Sequence, residues 1–340
     1  MIPPLVSILI PAYNAEHWIA DTIRSALDQT WPRIEIIVIN DGSTDATFEA
    51  ARQFASEKVT VVTQSNQGAA ATRNSLLALS RGDYIQWLDA DDLLSPGKIA
   101  RQLEALDQSG QSKWTLLSSA WGYFYYRHTK ASFEPTALWS DLTPSEFLRR
   151  KMGQNLHMQT ATWLVSRELT EKAGPWDARL WVDDDGEYFC RVLLACEKVK
   201  FVAGRGVYYR ATGSSSLSYI GRSNRKAEAQ FLSMKVHIDS LRSLDDSAGA
   251  REACVHYLQN WSIHFYPDRA DILTQMKALA ESLGGQLHNP TLSWKYAWIR
   301  RLFGWDTAKR VQSIAPTIKW DFVRWVDKHM ARREAATPIE

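Results

Sequence analysis

A chain of 340 residues holds one large or two modest domains. With 45% hydrophobic residues, 23% charged residues and a formal net charge of +2, it lacks the basic excess of a general nucleic-acid binder. Cys190, Cys196 and Cys254 are too few and too irregularly spaced for a disulfide framework or a thiolate metal site, and they fit a reducing, cytoplasmic compartment.

The opening "MIPPLVSILIPAYN" has no basic region ahead of its apolar run, and Pro11 interrupts that run, so it reads as a strand and not as a signal peptide. No window reaches the roughly 18 apolar residues of a membrane-spanning helix. The expected location is the cytoplasm, either free or peripheral at the inner face of the plasma membrane. Fifteen tryptophans read first as large core side chains, and second as sugar-stacking or interfacial rings.

"LVSILI" (5–10), "EIIVI" (35–39), "KVTVVT" (58–63) and "DYIQWL" (83–88) are apolar runs of strand length. Runs without polar alternation predict strands covered on both faces, as in a parallel sheet. Helices are expected between them, over about 15–29, 44–56 and 68–80. In the first, Trp18, Ile19, Ile23, Ala26 and Leu27 recur at helical spacing. Ser43 or Thr44 is expected to cap the second, with Asp45 near its positive end. The pattern is a doubly wound α/β sheet, in which ligands bind beyond the carboxyl ends of the strands. "PAYN", "NDGSTD", "SNQG" and "DADD" follow the four strands in turn, so their polar groups converge on one edge.

The chain continues through a mixed region, with strand-like "KWTLLSSAWGYFYY" and "MQTATWLVS". Beyond about 220 it becomes helical, charged and rich in Trp. "GSSSLSYIGRSNR" reads as the loop between the two parts. The expected division is a domain over 1–218, itself split into 1–95 and 96–218, followed by a helical region over 219–340.

In "DADD", Asp89 and Asp91 stand two apart at a strand end, where carboxylates can hold a hard divalent cation with phosphates completing its shell. The plainer alternative is a helix cap at Asp92 and a solvated Asp89. In "NDGSTD", Asp41 can accept from a base N–H or ribose hydroxyls, or simply order a turn. Arg73, in "NQGAAATRN", is a planar donor suited to a base or phosphate, or an ordinary helix arginine.

Taken together, "VSILIPAYNAE", "EIIVINDGSTD", "NQGAAATRN" and "GDYIQWLDADD" resemble the nucleotide-sugar-binding half of family-2 inverting glycosyltransferases of the GT-A fold. The resemblance covers about 5–215 and is closest over the first hundred residues. It implies a GT-A architecture: a mostly parallel nucleotide-binding sheet flanked by helices, here with a helical C-terminal extension. It implies that Pro11, Ala12 and Tyr13 pack against the donor base, with Ala12 standing where a threonine is frequent. It implies Asp41 on uracil, Arg73 on the donor, Asp89 on the ribose or metal, and Asp91 as main ligand of Mn²⁺ or Mg²⁺. The role of Asp92 is less defined.

"GPWDARLWVDDDGEYFCRVLLA" (174–195) resembles the family's acceptor-side segment, where an acidic pair precedes a helix carrying an arginine. Aligning Arg191 with that arginine makes Asp185 the general base. The run Asp183, Asp184, Asp185 allows a slip of one, so Asp184 stays an alternative. A crowded carboxylate can have its pKa raised toward working pH, which suits a base. A plain acidic helix start is the other reading. After "VYYR" many relatives carry a histidine. Here the stretch is "ATGSSSLS", and Ser214 and Ser215 are the substitutes considered for phosphate contacts. His157 and Trp181 are candidates for the acceptor pocket.

Residues 291–340 hold ten Lys and Arg against five Asp and Glu, and five of the fifteen Trp. In "TIKWDFVRWVDKHMARR", Ile318, Phe322, Trp325 and His329 share a helical face, with Lys319 and Lys328 elsewhere. Such a helix either lies on a membrane surface or packs on the catalytic region or a second subunit. The expected activity is inverting, divalent-metal-assisted transfer from a nucleoside-diphosphate sugar, most simply a UDP-sugar, to a hydroxyl of a glycan or lipid-linked acceptor. The alternative is a sugar-nucleotide-binding scaffold without transfer. A P-loop and a G-x-G-x-x-G turn are both missing, which sets aside nucleotidyl-transfer and dinucleotide-oxidoreductase readings.

Overall fold

The computed structural model describes residues 2–108, 110, 112–212, 223–290 and 294–336. The first half alternates as expected: β1 (Val6–Ala12), α1 (Ile19–Leu27), β2 (Ile34–Asp41), α2 (Thr47–Arg52), β3 (Val59–Gln64), α3 (Ala69–Leu79) and β4 (Tyr84–Trp87). Then follow β5 (Leu93–Leu94), α4 (Lys98–Gln108), β6 (Thr115–Phe124), α5 (Pro144–Gly153), β7 (Val165–Ser166), α6 (Arg167–Ala173), α7 (Asp184–Ala195) and β8 (Lys198–Arg210). The C-terminal part is helical: α8 (Asn224–Leu244), α9 (Ala248–Phe265), α10 (Ala270–Ser282) and α11 (Ala297–Ala336).

The main sheet has the order β3-β2-β1-β4-β7, parallel except for β7. Strand order reverses beside β1, and the crevice outside the carboxyl ends of β1 and β4 is where such a sheet takes its ligand. β2 is buried along its whole length, as its Ile/Val run requires. Of its two acidic residues, Asp41 ends the strand and Glu35, near its start, is buried and fully engaged. Ser7 Oγ donates to it at 2.6 Å and the Arg81 amide at 2.6 Å. Burial works against that carboxylate, but the Ser7 and Arg81 bonds outweigh it and hold its pKa below the usual range. A second sheet, β5-β8-β6, pairs β6 parallel to β8 and carries β8 back to the end of β4.

Three expectations are corrected. Neither Ser43 nor Thr44 caps α2. The cap position is Ala46, which has no side chain to serve it, and Asp45 just before it accepts from the Thr47 amide at 3.0 Å. Ser43 and Thr44 instead bind Asn14, lacing the loop after β1 to the loop after β2. "MQTATWLVS" gives only the two-residue β7, because Gln159 accepts from the Ala161 amide at 2.6 Å and sets a 3₁₀ turn over Thr160–Thr162. Asp92 does not cap α4, for a reason given below.

The expected boundary at 218/219 lies outside the described residues. Beyond it, α8, α9 and α10 bury Phe231, Met234, Tyr257, Leu258 and Met276 in the same apolar cluster that contains Met152, Trp176 and Val192. The C-terminal helices therefore share a core with the segment that carries the acidic run. Among the described residues no helix is long and apolar enough to cross a membrane.

Candidate active site

Four chain turns meet at the carboxyl edge of the main sheet. At the end of β1, Pro11 is partly buried and Ala12 is buried, and Tyr13 just beyond is 50% exposed, leaving its ring open at the rim. Asp41, the last residue of β2, is buried with both carboxylate oxygens engaged. Oδ1 accepts from the Gln67 amide at 2.9 Å and from Gln64 Nε2 at 2.8 Å, and Oδ2 accepts from the Gly68 amide at 2.9 Å. Gly42 has φ of 67°, and a Cβ there would stand 2.7 Å from the Asn66 nitrogen, so only glycine lets these two turns close on each other.

Arg73 extends from α3 to the centre of the site, with its side chain 7% exposed. One terminal nitrogen donates to Asp89 Oδ1 at 2.9 Å and the other to Asp184 Oδ2 at 2.5 Å. The guanidinium lies 4.5 Å from the ring centre of Trp176. It thus joins the loop after β4 to the start of α7, whose Asp184 lies 111 positions from Arg73 along the chain.

The three carboxylates of "DADD" have three different fates. Asp89 is paired with Arg73. Asp92 is fully buried, accepting from the Arg210 amide at 2.8 Å and from Gln159 Nε2, which pins β8 and the 160 turn to the end of β4. Burial, together with Asp91 and Asp89, pushes its carboxyl far up, and both of its oxygens are spent on structural contacts. Asp91 is partly buried and forms no ion pair with a Lys or Arg side chain among the described residues. Burial first, and Asp89 second, push its pKa up to about 7. Arg210 reaches only its carbonyl, at 2.7 Å. A carboxylate in this state is one that a divalent cation would relieve, and its oxygen donors suit a hard ion. No group of three or more His, Cys, Asp or Glu among the described residues is placed to hold a metal. A cation here would therefore rest on Asp91 and Asp89, with its other ligands coming from a donor and water.

The run Asp183–Asp185 is also split. Asp183 is in the left-handed region, φ 56°, and its side chain turns back toward α8. Asp184 is taken by Arg73. Its carboxyl is pushed up to about 6 by burial, with Asp185 and Asp89 adding to the rise and Arg73 opposing it. Asp185 forms no ion pair among the described residues. Its oxygens accept from Thr160 Oγ1 at 2.8 Å and from the Gly186 amide at 2.9 Å. Arg191, used to set the alignment, pairs with Glu187 at 2.6 Å and also donates to the Ala173 carbonyl.

An aromatic cluster lies beside them on β6 and β8. Tyr123 packs edge-on to Trp121 at 4.7 Å and to Tyr209 at 5.3 Å, and His157 lies 4.9 Å from Trp121. The Asp185 charge acts on His157, and those of Asp92, Asp91 and Asp89 act on Tyr209, so the cluster borders both acidic groups. Trp181 is half-exposed, and its ring is covered by the Arg225 guanidinium at 3.9 Å. Ser214 and Ser215 lie outside the described residues. Thr160, Trp176, Arg210 and the Tyr123–Tyr209 pair were not singled out from sequence. "VYYR" held part of the signal, since Tyr209 and Arg210 end a strand beside the edge where the motifs converge.

Residues 7–174 match Glycosyl transferase family 2, and the chain carries a family-2 glycosyl transferase domain with the GT-A architecture. Among its relatives is the uncharacterized glycosyltransferase EpsJ of Bacillus subtilis (strain 168), 29% identical over 225 residues, which are 64% of each chain. Another is the putative teichuronic acid biosynthesis glycosyltransferase TuaG of the same organism, 42% identical over 104 residues, 30% of this chain and 41% of that one. The chain thus matches less than two thirds of the length of these relatives. Among solved structures, S. aureus TarS 1–349 in complex with UDP-GlcNAc superposes with a TM-score of 0.67 at 16% identity, over 91% of this chain and 90% of that one. At that identity the likeness concerns the fold, and at 91% of this chain it extends into the C-terminal helices.

Proposed function

We propose that the protein is an inverting glycosyltransferase that moves a sugar from a nucleoside-diphosphate sugar of the UDP class to a hydroxyl of a glycan or lipid-linked glycan. The observation that carries this reading is the division of the second acidic run. Asp183 is turned into the helices and Asp184 is tied to Arg73, while Asp185 is unpaired and acts on Arg73 and His157. Asp185 is therefore the carboxylate available to take a proton. As it does so, the acceptor oxygen bonds to the anomeric carbon and the bond from that carbon to the diphosphate oxygen breaks on the opposite face. The proton ends on Asp185 and the negative charge on the departing nucleoside diphosphate.

On the donor side, Pro11, Ala12 and Tyr13 flank the base; Asp41, expected on uracil itself, has both oxygens taken by Gln64, Gln67 and Gly68 and serves the base by holding that turn against it. Asp89 and Asp91 would hold Mn²⁺ or Mg²⁺, which when bound supplies positive charge beside the leaving diphosphate. On the acceptor side, Tyr123, Trp121, Tyr209 and His157 form an aromatic floor for a sugar ring next to Asp185. The basic, aromatic α11 is read as a contact with an anionic membrane surface, where a lipid-linked acceptor would be met.

Calorimetric titration of UDP, with and without Mn²⁺, tests the donor half. Wild type is expected to bind more tightly with Mn²⁺, and Asp91→Asn to lose that difference while still binding UDP. Affinity in wild type that ignores Mn²⁺ would remove the metal assignment. UDP binding with no turnover of any nucleotide sugar would favour the scaffold alternative.

A further inference from the structure

Asp183 occupies the position before the first turn of α7, where an aspartate ordinarily accepts hydrogen bonds from the helix's own free amides. It makes no such bond. Its backbone is left-handed, a conformation that costs a non-glycine residue energy and that surrounding structure must enforce. Its carboxylate turns away from the crevice to α8. Ser233 Oγ donates to Oδ2 at 2.6 Å and Gln230 Nε2 at 3.2 Å. Both donors are buried, as is His237, whose Nε2 lies 4.0 Å from the same oxygen and whose Nδ1 lies 3.0 Å from Tyr257 Oη on α9. Gly186 completes the arrangement. A Cβ there would stand 2.1 Å from Asp183 Oδ1 and 2.7 Å from its Cγ, so the tucked carboxylate needs glycine three residues on.

We infer that Ser233 and Gln230 of α8 are positioning residues for the acceptor-side carboxylates: by holding Asp183 in its left-handed, inward-turned state they fix which faces of the α7 start Asp184 and Asp185 present. The three aspartates are adjacent, so a single backbone rotation at Asp183 re-aims the two that follow. A change of that kind moves a base by more than the fraction of an ångström that in-line transfer tolerates. The C-terminal helices then serve chemistry directly, through a buried contact with the acidic run.

The inference rests on the proposed role of Asp185, and the test separates the two. Ser233→Ala, Ser233→Thr and Gly186→Ala are compared with wild type by hydrogen exchange over residues 181–190, UDP affinity and turnover of the preferred nucleotide sugar. Ser233→Ala and Gly186→Ala are expected to raise exchange at the α7 first turn about tenfold, leaving α8 and UDP affinity unchanged. Turnover is expected to fall at least tenfold in kcat with little change in the donor KM, and Ser233→Thr to restore it. Unchanged exchange at the α7 first turn in Ser233→Ala would overturn the anchoring. Faster exchange with normal kcat would overturn the positioning role. If wild type turns over no nucleotide sugar, the transfer reading fails, while the exchange data still decide the anchor.

Discussion

Arg73 gives its two terminal nitrogens to carboxylates from segments far apart in the chain, and burial makes those bonds hard to replace. Lysine at this position could not bridge both, since it lacks the planar fork. Arg73→Ala leaves two partly buried carboxylates without their cation, a change that ordinarily costs about 3–5 kcal/mol. Part of this cost depends on pH. The Asp184 carboxyl is already pushed up to about 6 in the folded protein, mainly by burial. A carboxyl raised in this way penalises the fold when ionised, and the penalty is relieved as pH falls through its folded pKa. Urea unfolding should therefore show a larger loss for Arg73→Ala at pH 8 than at pH 5, and equal losses would contradict the pairing. From sequence, Arg73 read equally as a donor contact and a solvated helix residue. Its partner Asp184 lies beyond the reach of any local pattern, which is why the clamp was not legible. The one-residue ambiguity of Asp183–Asp185 had a similar source, because spacing alone carries no backbone φ.

At the scale of elements, β1 to β4 and their helices were readable because uninterrupted Ile and Val runs have one stable use, the interior of a parallel sheet. The 158–166 stretch was not, because its apolar look hides side-chain hydrogen bonds that shape a 3₁₀ turn. The last helix packs on the catalytic region, and the membrane reading rests on a test. Asp327 on α11 accepts from the Tyr126 amide at 2.9 Å and from Arg127 Nε at 2.7 Å, so the helix packs on the segment after β6. Phe322 and Trp325 remain 65% and 56% exposed. His329 contacts Trp325, and the side chains of Ile318 and Lys319 lie outside those described. Co-sedimentation with phosphatidylglycerol vesicles should be strong for wild type and should fall several-fold for Phe322→Ser/Trp325→Ser. Equal sedimentation of the two proteins would remove α11 as the membrane contact.

For the whole molecule, the carboxyl edge of the main sheet and the acidic run are separate in sequence and are brought together by two devices. Arg73 crosses the crevice, and the β5-β8-β6 sheet returns the chain so that Arg210 lies against Asp91 and Asp92. Motif order was enough to bring the four polar motifs to one edge of the sheet, since each motif follows its own strand. The acceptor half depends on contacts between elements, including the helices past 223, and only the fold supplies those. The central claim is that this assembly transfers sugar with Asp185 as base. The most direct measurement is nucleoside diphosphate release from a panel of UDP- and GDP-sugars with Mn²⁺, for wild type, Asp185→Asn and Asp184→Asn. Slow release from one UDP-sugar is predicted for wild type. Asp185→Asn should lose it by about 10²–10⁴-fold with UDP affinity intact, as expected for a missing general base. Normal release by Asp185→Asn, or a loss confined to Asp184→Asn, would contradict the account.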